Sequence, residues 1–305
     1  MSYEKVLLFY NPLAGNGVIV NNLDKIIATF QKKRKVLVPV RIDKGIRLDN
    51  VFAEFGAHGF SRVIAAGGDG TVHAVVGSMV KYGVDVPLAL LPAGTANDLA
   101  RYFNMPTSFK EMLRIAASDD LVRMDVGLAN GRPFANVLAA GALVDASQKT
   151  DPLAKNALGL VAYYLQALSE LPKIRPIPVK VTLPDEVVET DMNAILILNG
   201  RGAGGFRAVV PHSVINDGLL EVMLVHNVPF VDWGPLALSL LMGQHENNKY
   251  ISFYSASSVK IESDEDILTD LDGEIGVSLP VDVSVLPSRI EICVPEDWKA
   301  AHDTD

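Results

Sequence analysis

In the first 125 positions of this 305-residue chain, short mostly apolar runs alternate with stretches whose apolar residues recur every three to four positions. Residues 5–10 (KVLLFY) form such a run and stop at Asn11-Pro12, a turn that Gly15-Asn16-Gly17 prolongs. Leu23, Ile26, Ile27 and Phe30 then fall on one face of a 3.6-residue period, and Leu48, Val51, Phe52 and Phe55 repeat the pattern after a strand predicted over 35–40. A third strand over 62–66 runs into Gly67-Gly68-Asp69-Gly70-Thr71, after which Val72, Val75, Val76, Met79 and Val80 mark a helix that Gly83 can end. A fourth over 86–91 runs into Pro92-Ala93-Gly94-Thr95-Ala96-Asn97-Asp98 and a helix through Arg101. Ser108 with Glu111 three residues later reads as a capping box opening one more helix, with Phe109, Met112, Leu113 and Ala116 on its buried face. The alternation predicts a doubly wound α/β domain with a parallel sheet over residues 1–125.

Beyond Asp125 the periodicity changes. Short strand-forming runs at 179–183, 194–198, 219–225, 257–262 and 281–286 are separated by turns, which suits a β-rich sandwich of antiparallel sheets. One helix is predicted over 157–171, ahead of Pro172. The length fits two domains, and 49% hydrophobic against 21% charged residues place the chain among folded proteins.

Charge narrows the choice of partners. With 27 Lys+Arg against 36 Asp+Glu the net charge is −9, so nucleic acid is an unfavourable partner. The single cysteine, Cys293, permits no internal disulfide, consistent with a reducing, cytoplasmic setting. The apolar run after Glu4-Lys5 is too short for a secretory signal, and no stretch reaches ~18 continuous apolar residues, the least that spans a bilayer.

Several chemistries are missing. There is no G-x-x-x-x-G-K-[ST] loop, no G-x-S-x-G elbow and no H-E-x-x-H helix, and the histidines at 58, 73, 212, 226, 245 and 302 have no ligand spacing. A formal G-x-G-x-x-G stands at Gly200, Gly202 and Gly205. A dinucleotide site needs a helix after the third glycine, whereas Phe206 to Val210 is strand-like and Pro211 breaks it, so that reading is rejected.

Gly67-Gly68-Asp69-Gly70-Thr71 sits where a buried strand meets a helix, so its backbone can approach a phosphate and present helix-start N–H groups to it. A carboxylate there would repel phosphate unless Mg²⁺ lay between them. The alternative is a tight turn in which Asp69 is only a helix cap; on either reading Asp69 sits on a surface turn and its loss should leave the fold intact. Asn11 to Gly15 and Gly94 to Asp98 follow two other strands, so three glycine-containing turns should converge at the carboxyl edge of one sheet, where ligands bind in such folds.

This set resembles the diacylglycerol kinase catalytic-domain family, which includes bacterial lipid kinases, sphingosine kinases and ceramide kinases. Its N-P-x-[SA]-G, G-G-D-G-T and P-x-G-T-x-N-D stand at 11–15, 67–71 and 92–98. Later, Asn199-Gly200 with Gly204-Gly205-Phe206 is similar to N-G-x-x-x-G-G-F, 211–218 to P-x-A-x-x-x-D-G with Ser213 for the alanine, and 271–274 to the D-G-E segment. First domains of this kind occur also in NAD kinases and phosphofructokinases.

The resemblance implies a nucleotide domain over 1–125, to which about 288–305 returns, and a β-rich acceptor domain over 126–287. It implies transfer of the γ-phosphoryl group of ATP to a lipid hydroxyl such as that of diacylglycerol. ATP contacts would come from Asn11, Pro12, Leu13, Ala14, Gly15, Gly67, Gly68, Asp69, Gly70, Thr71, Val72, His73 and Thr95, and from Arg41, which stands where relatives often carry threonine and which could equally be solvated. Asp69 and Asp98 would hold catalytic Mg²⁺. Asp272 and Glu274 would supply the base; two apart on an extended segment they share a side, unless the segment is a hairpin turn with both acids solvated. Asp217, with the carbonyls of Val214 and Leu219, would hold a structural Mg²⁺, unless Asn216-Asp217-Gly218 is an ordinary turn. Over 149–180 five basic residues and two acids surround the apolar 157–171, which suits peripheral contact with an anionic membrane inner face, or else plain core. A homodimer is left open, and a soluble-substrate kinase of the NAD kinase type remains the alternative activity.

Overall fold

The computed structural model describes residues 3–42, 48–55, 59–141, 144, 175–206 and 209–302. They fall into two compact units, Met1–Met124 with Ser288–Asp305, and Asp125–Pro287.

In the first unit β1 (Glu4–Tyr10) pairs in parallel with β2 (Lys35–Arg41) and β3 (Phe60–Gly67), and β3 with β4 (Leu88–Pro92). β4 starts two residues later than the sequence suggests, because Pro87 has no N–H to give the ladder. The runs of β1, β3 and β4 lack alternation because both of their faces are buried, whereas β2, at the sheet edge, leaves Val36 exposed. Between them lie α1 (Val18–Asn21), α2 (Leu23–Lys32), α3 (Leu48–Phe55), α4 (Asp69–Lys81), α5 (Asp98–Tyr102) and α6 (Phe109–Ala116). Val6 and Leu8 pack with Ile26 and Phe30 of α2 and Met112 and Leu113 of α6. Phe9, on the opposite face by strand alternation, stacks on Phe52 of α3 at 4.9 Å. Ser108 precedes α6, but the helix start has no side-chain cap hydrogen bond, so the expected capping box is absent; burial of its apolar face holds the helix instead.

The end of β15 (Val281–Cys293) lies beside β4, with Ile292 opposite Leu88. The helix Glu296–His302 follows, its Trp298 packed 5.0 Å from Phe103 and donating to the Tyr102 carbonyl at 3.2 Å.

The second unit is antiparallel. Its strands are β5 (Leu121–Ala129, from Asp125 onward), β6 (Arg132–Phe134), β7 (Val137–Gly141), β8 (Ile177–Thr182), β9 (Val187–Leu198), β10 (Leu220–His226), β11 (Ile251–Ala256), β12 (Ser258–Glu262), β13 (Leu268–Leu271), β14 (Glu274–Ser278) and the first part of β15. β9 pairs with β7, β8 and β10. Its Ile195 and Ile197 enter a core with Val181, Ile261 and Val281, while Ala194, Leu196 and Leu198 enter a second core with Leu236 of the helix Trp233–Leu241. Two buried faces explain an apolar run that would otherwise alternate. The segment 145–174, holding the predicted helix over 157–171 and most of the basic stretch, lies outside the described residues.

Candidate active site

The carboxyl ends of β1, β3 and β4 carry the three glycine turns, and the backbone ties them together. Asn11 N–H donates to the Ala66 carbonyl at 2.9 Å, and Ala93 N–H to that of Gly67 at 2.8 Å. Gly68 and Gly94 meet backbone to backbone: a Cβ on Gly94 would lie 2.6 Å from the Gly68 Cα, so neither turn tolerates a side chain there. Gly15 adopts φ +56°, and a Cβ on it would reach the Ala93 carbonyl at 2.9 Å. The Asn11 side chain accepts from Leu13 N–H at 2.9 Å, closing an Asx turn that leaves Leu13 largely exposed, with Pro12 and Ala14 half-buried.

Asp69 joins the second turn to the third. One carboxylate oxygen accepts from Asn97 N–H at 2.8 Å and the other from Asp98 N–H at 2.7 Å, which brings the two acids predicted for Mg²⁺ to adjoining backbone. The reading of Asp69 as the cap of its own helix is therefore corrected: Gly68 takes the cap position of α4, no side chain caps it, and Asp69 instead tethers the start of α5. Each Asp69 oxygen keeps a second lone pair, so the carboxylate can bind a cation while holding α5. Asn97, at φ 50°, closes the third turn by accepting from Gly94 N–H at 2.8 Å and donating to the Gly94 carbonyl at 2.7 Å. Thr95 stays exposed at its tip. Thr71 is buried, Val72 and His73 are half-buried on the first turn of α4, and Gly70 is exposed. Arg41 is exposed at the end of β2, opposite Tyr10.

The later motifs form a network of their own in the second unit. Leu271 and Glu274 are paired across β13 and β14, with Asp272 at φ 53° and Gly273 at φ 92° between them. The segment is thus a two-residue hairpin, which corrects the expectation of an extended stretch presenting both acids on one side. Nor is Asp272 solvated: its carboxylate accepts from Ala135, Asn136 and Val137 N–H at 2.6, 2.9 and 2.8 Å. Glu274 is exposed beside Ile275, itself 58% exposed. The Arg132 guanidinium fixes that strand by donating to the Gly276 and Ile275 carbonyls at 2.7 and 3.0 Å.

The backbone that Asp272 grips links the remaining motifs. Asn136 donates to the Gly202 carbonyl at 2.9 Å, and buried Asn199 donates to the carbonyls of Ala135 at 2.9 Å and Asp125 at 2.7 Å. Fully buried Asp125 in turn accepts from Gly218 N–H at 2.7 Å and gives its own N–H to the Ile215 carbonyl. Sequence reasoning passed over Asp125, although a lone acid inside the run Met124-Asp125-Val126 was its signal. Val214, Asp217 and Leu219 are exposed around this loop, and Asp217 accepts from Leu219 N–H at 2.9 Å, as an Asx turn does. Burial pushes the nearby Glu221 carboxyl above its usual range; the Ser255 hydroxyl opposes this and the Asp217 charge adds to it, an arrangement a cation would relieve. Among the described residues no three His, Cys, Asp or Glu side chains gather as a metal cage, so an ion here would rely on carbonyls and water. After Gly205 no dinucleotide helix begins through Phe206, which bridges back to Ala203.

Residues 5–129 match the diacylglycerol kinase catalytic domain, and residues 136–294 match the YegS C-terminal NAD kinase beta sandwich-like domain. The chain belongs to the diacylglycerol kinase catalytic-domain family. It is a kinase, with the family's parallel-sheet α/β domain and β-rich second domain. Over 299 residues it is 27% identical to the diacylglycerol kinase of Bacillus subtilis, covering 96% of this chain and 97% of that one. A crystal structure of a diacylglycerol kinase from Bacillus anthracis superposes with a TM-score of 0.75 at 25% identity, covering 98% and 99%. A second structure from that organism gives 0.81 at 27%, covering 98% and 97%. Membership in this family supports a lipid kinase and implies ATP as the phosphoryl donor. Among the described residues no helix is long and apolar enough to cross a membrane.

Proposed function

We propose that this kinase moves the γ-phosphoryl group of ATP, with Mg²⁺, to a hydroxyl of diacylglycerol or a similar membrane lipid. The observation that carries this is the trio of turns at 11–15, 67–71 and 94–98, which leave no room for side chains where Gly68 meets Gly94 and bring Asp69 and Asp98 to adjoining backbone. A cradle closed to side chains and tipped with helix-start N–H groups fits polyphosphate, and the acids fit the hard cation that accompanies it. Asn11 to Gly15, Gly67 to His73, Thr95 and Arg41 would hold the nucleotide. Glu274 takes the proton as the lipid oxygen bonds to phosphorus and the bond to the ADP oxygen breaks. Asp272, with three backbone donors on its carboxylate, positions the hairpin that carries Glu274. The enzyme works peripherally at the inner face of a membrane.

Labelled ATP offered with a total lipid extract, and separately with NAD, tests the reading. Label in the lipid fraction is expected. Label in NADP alone would move the chain to the soluble-substrate alternative.

Asp217, with the Val214 and Leu219 carbonyls, is proposed to hold a structural Mg²⁺. Mg²⁺ without ATP should then raise the melting temperature of the wild type, since an ion bound only by the folded chain stabilises it by mass action. Asp217→Ala should lose that rise while still binding nucleotide. Equal gains in both proteins would show the loop to be only a turn.

A further inference from the structure

At the opposite, amino-terminal edge of the parallel sheet lies a cavity of about 420 Å³, lined among others by Glu4, Lys33, Lys35, Arg62, Asp119 and Leu121. The glycine turns are some 20 Å away along the strands, at ~3.3 Å per residue of β3. Three cations and two acids give the cavity a net charge of +1 in a chain of −9.

Arg62 is only 2% exposed. It donates through Nη1 to the Ala116 carbonyl at 2.6 Å and through Nη2 to Asp119 Oδ1 at 2.8 Å, while its Nε is buried without a hydrogen-bond partner. Lys33 donates to the Ala117 carbonyl at 2.8 Å, so Lys33 and Arg62 together cap the end of α6. Lys35 has no such duty. Its side chain is 12% exposed, and its ammonium stands 3.6 Å from Glu4 and 3.7 Å from Asp119. A nearly buried ammonium held at that distance and an orphaned guanidinium N–H are both undersupplied with acceptor oxygen. The Asp119 side chain is 82% exposed, and its Oδ1 is shared between Arg62 and Lys35. It is a tethered anion, already largely in water, that can turn outward when another anion takes its place beside Arg62 and Lys35.

We propose that this cavity binds a phosphate-bearing anion, whose oxygens replace the Asp119 carboxylate between Arg62 and Lys35. Phosphate brings more acceptor oxygens than the carboxylate it displaces, enough to meet the Arg62 Nη2 and Lys35 at the same time, and Arg is suited to hold it. Partial burial works against the Asp119 charge, but Lys35 and Arg62 hold its carboxyl below the usual range, as two cations beside an anion do. The site is independent of phosphoryl transfer at the other sheet edge.

Calorimetric titration of the full chain with inorganic pyrophosphate, at ionic strength matched with chloride, tests it. Lys35→Gln should weaken binding about tenfold, the scale of one charge contact of ~1.4 kcal/mol. Asp119→Asn, a change on an exposed side chain, should tighten it several-fold, the reverse of what loss of a merely structural ion pair would do. The nucleotide turns are unaltered in all three proteins, so the differences report this cavity. Sedimentation with phosphatidate vesicles forms a second arm. Lys35-dependent binding there, without pyrophosphate binding, assigns the phosphate to a lipid headgroup; Lys35-dependent pyrophosphate binding assigns it to a free solute. Equal affinities of wild type and Lys35→Gln in both arms, or no tightening in Asp119→Asn, would overturn the proposal.

Discussion

Glu274→Gln should lower turnover about 10²-fold or more, the usual scale for loss of a general base, with nucleotide affinity unchanged. The side chain is exposed at the start of β14, and its strand is fixed by Arg132 and by the hairpin, so the substitution removes the proton acceptor without disturbing what carries it. Asp272→Asn should behave differently. An amide offers one acceptor oxygen and turns its NH₂ toward the other donors, so one or two of the three bonds from 135–137 are lost and a donor faces a donor. At roughly 1.5–3 kcal/mol for a hydrogen bond to a charged group, the second unit should melt several degrees lower. Its turnover should fall through misplacement of Glu274. Calorimetric titration with ATP and thermal melting separate the two. If Glu274→Gln loses nucleotide binding, or if Asp272→Asn melts like the wild type while losing turnover, the roles assigned to them are exchanged or wrong.

The sequence showed the parallel domain well because β1, β3 and β4 are short, mostly apolar runs ending in a glycine turn, a signal that needs no partner to be read. The same locality made the convergence of Asn11 to Gly15, Gly67 to Thr71 and Gly94 to Asp98 predictable from strand order alone. What those residues do to each other was not legible. Asp69 reaches Asn97 and Asp98, 28 and 29 positions away, and no spacing rule announces such a bond. The second unit hid more. β6, β13 and β14 are only 3 to 5 residues long and gain their pairing from neighbours far along the chain. Asp272-Gly273 could have been recognised as a hairpin turn, since an Asp-Gly pair favours two successive left-handed residues. Asp125 was missed because a buried acid in a strand looks like an interruption, whereas here it accepts from Gly218 and fixes the loop around Asp217.

Asp69→Ala should abolish phosphoryl transfer, leaving less than a tenth of wild-type turnover even at saturating Mg²⁺. From sequence the residue reads as a surface cap whose loss the fold would not notice. The structure argues otherwise, because both oxygens accept backbone N–H groups at the start of α5, and their loss leaves two half-buried donors to find water. A cost of about 1–3 kcal/mol and a melting temperature lower by several degrees should accompany the loss of activity. Two effects from one substitution need a second variant to part them. Asp69→Asn keeps one acceptor for α5 but no negative charge, so it should recover part of the stability and almost none of the turnover. Its residual activity should demand far more Mg²⁺ than the wild type, as expected if the carboxylate serves the cation. Full turnover in Asp69→Asn at ordinary Mg²⁺ would leave Asp69 as the tether of α5 and nothing more.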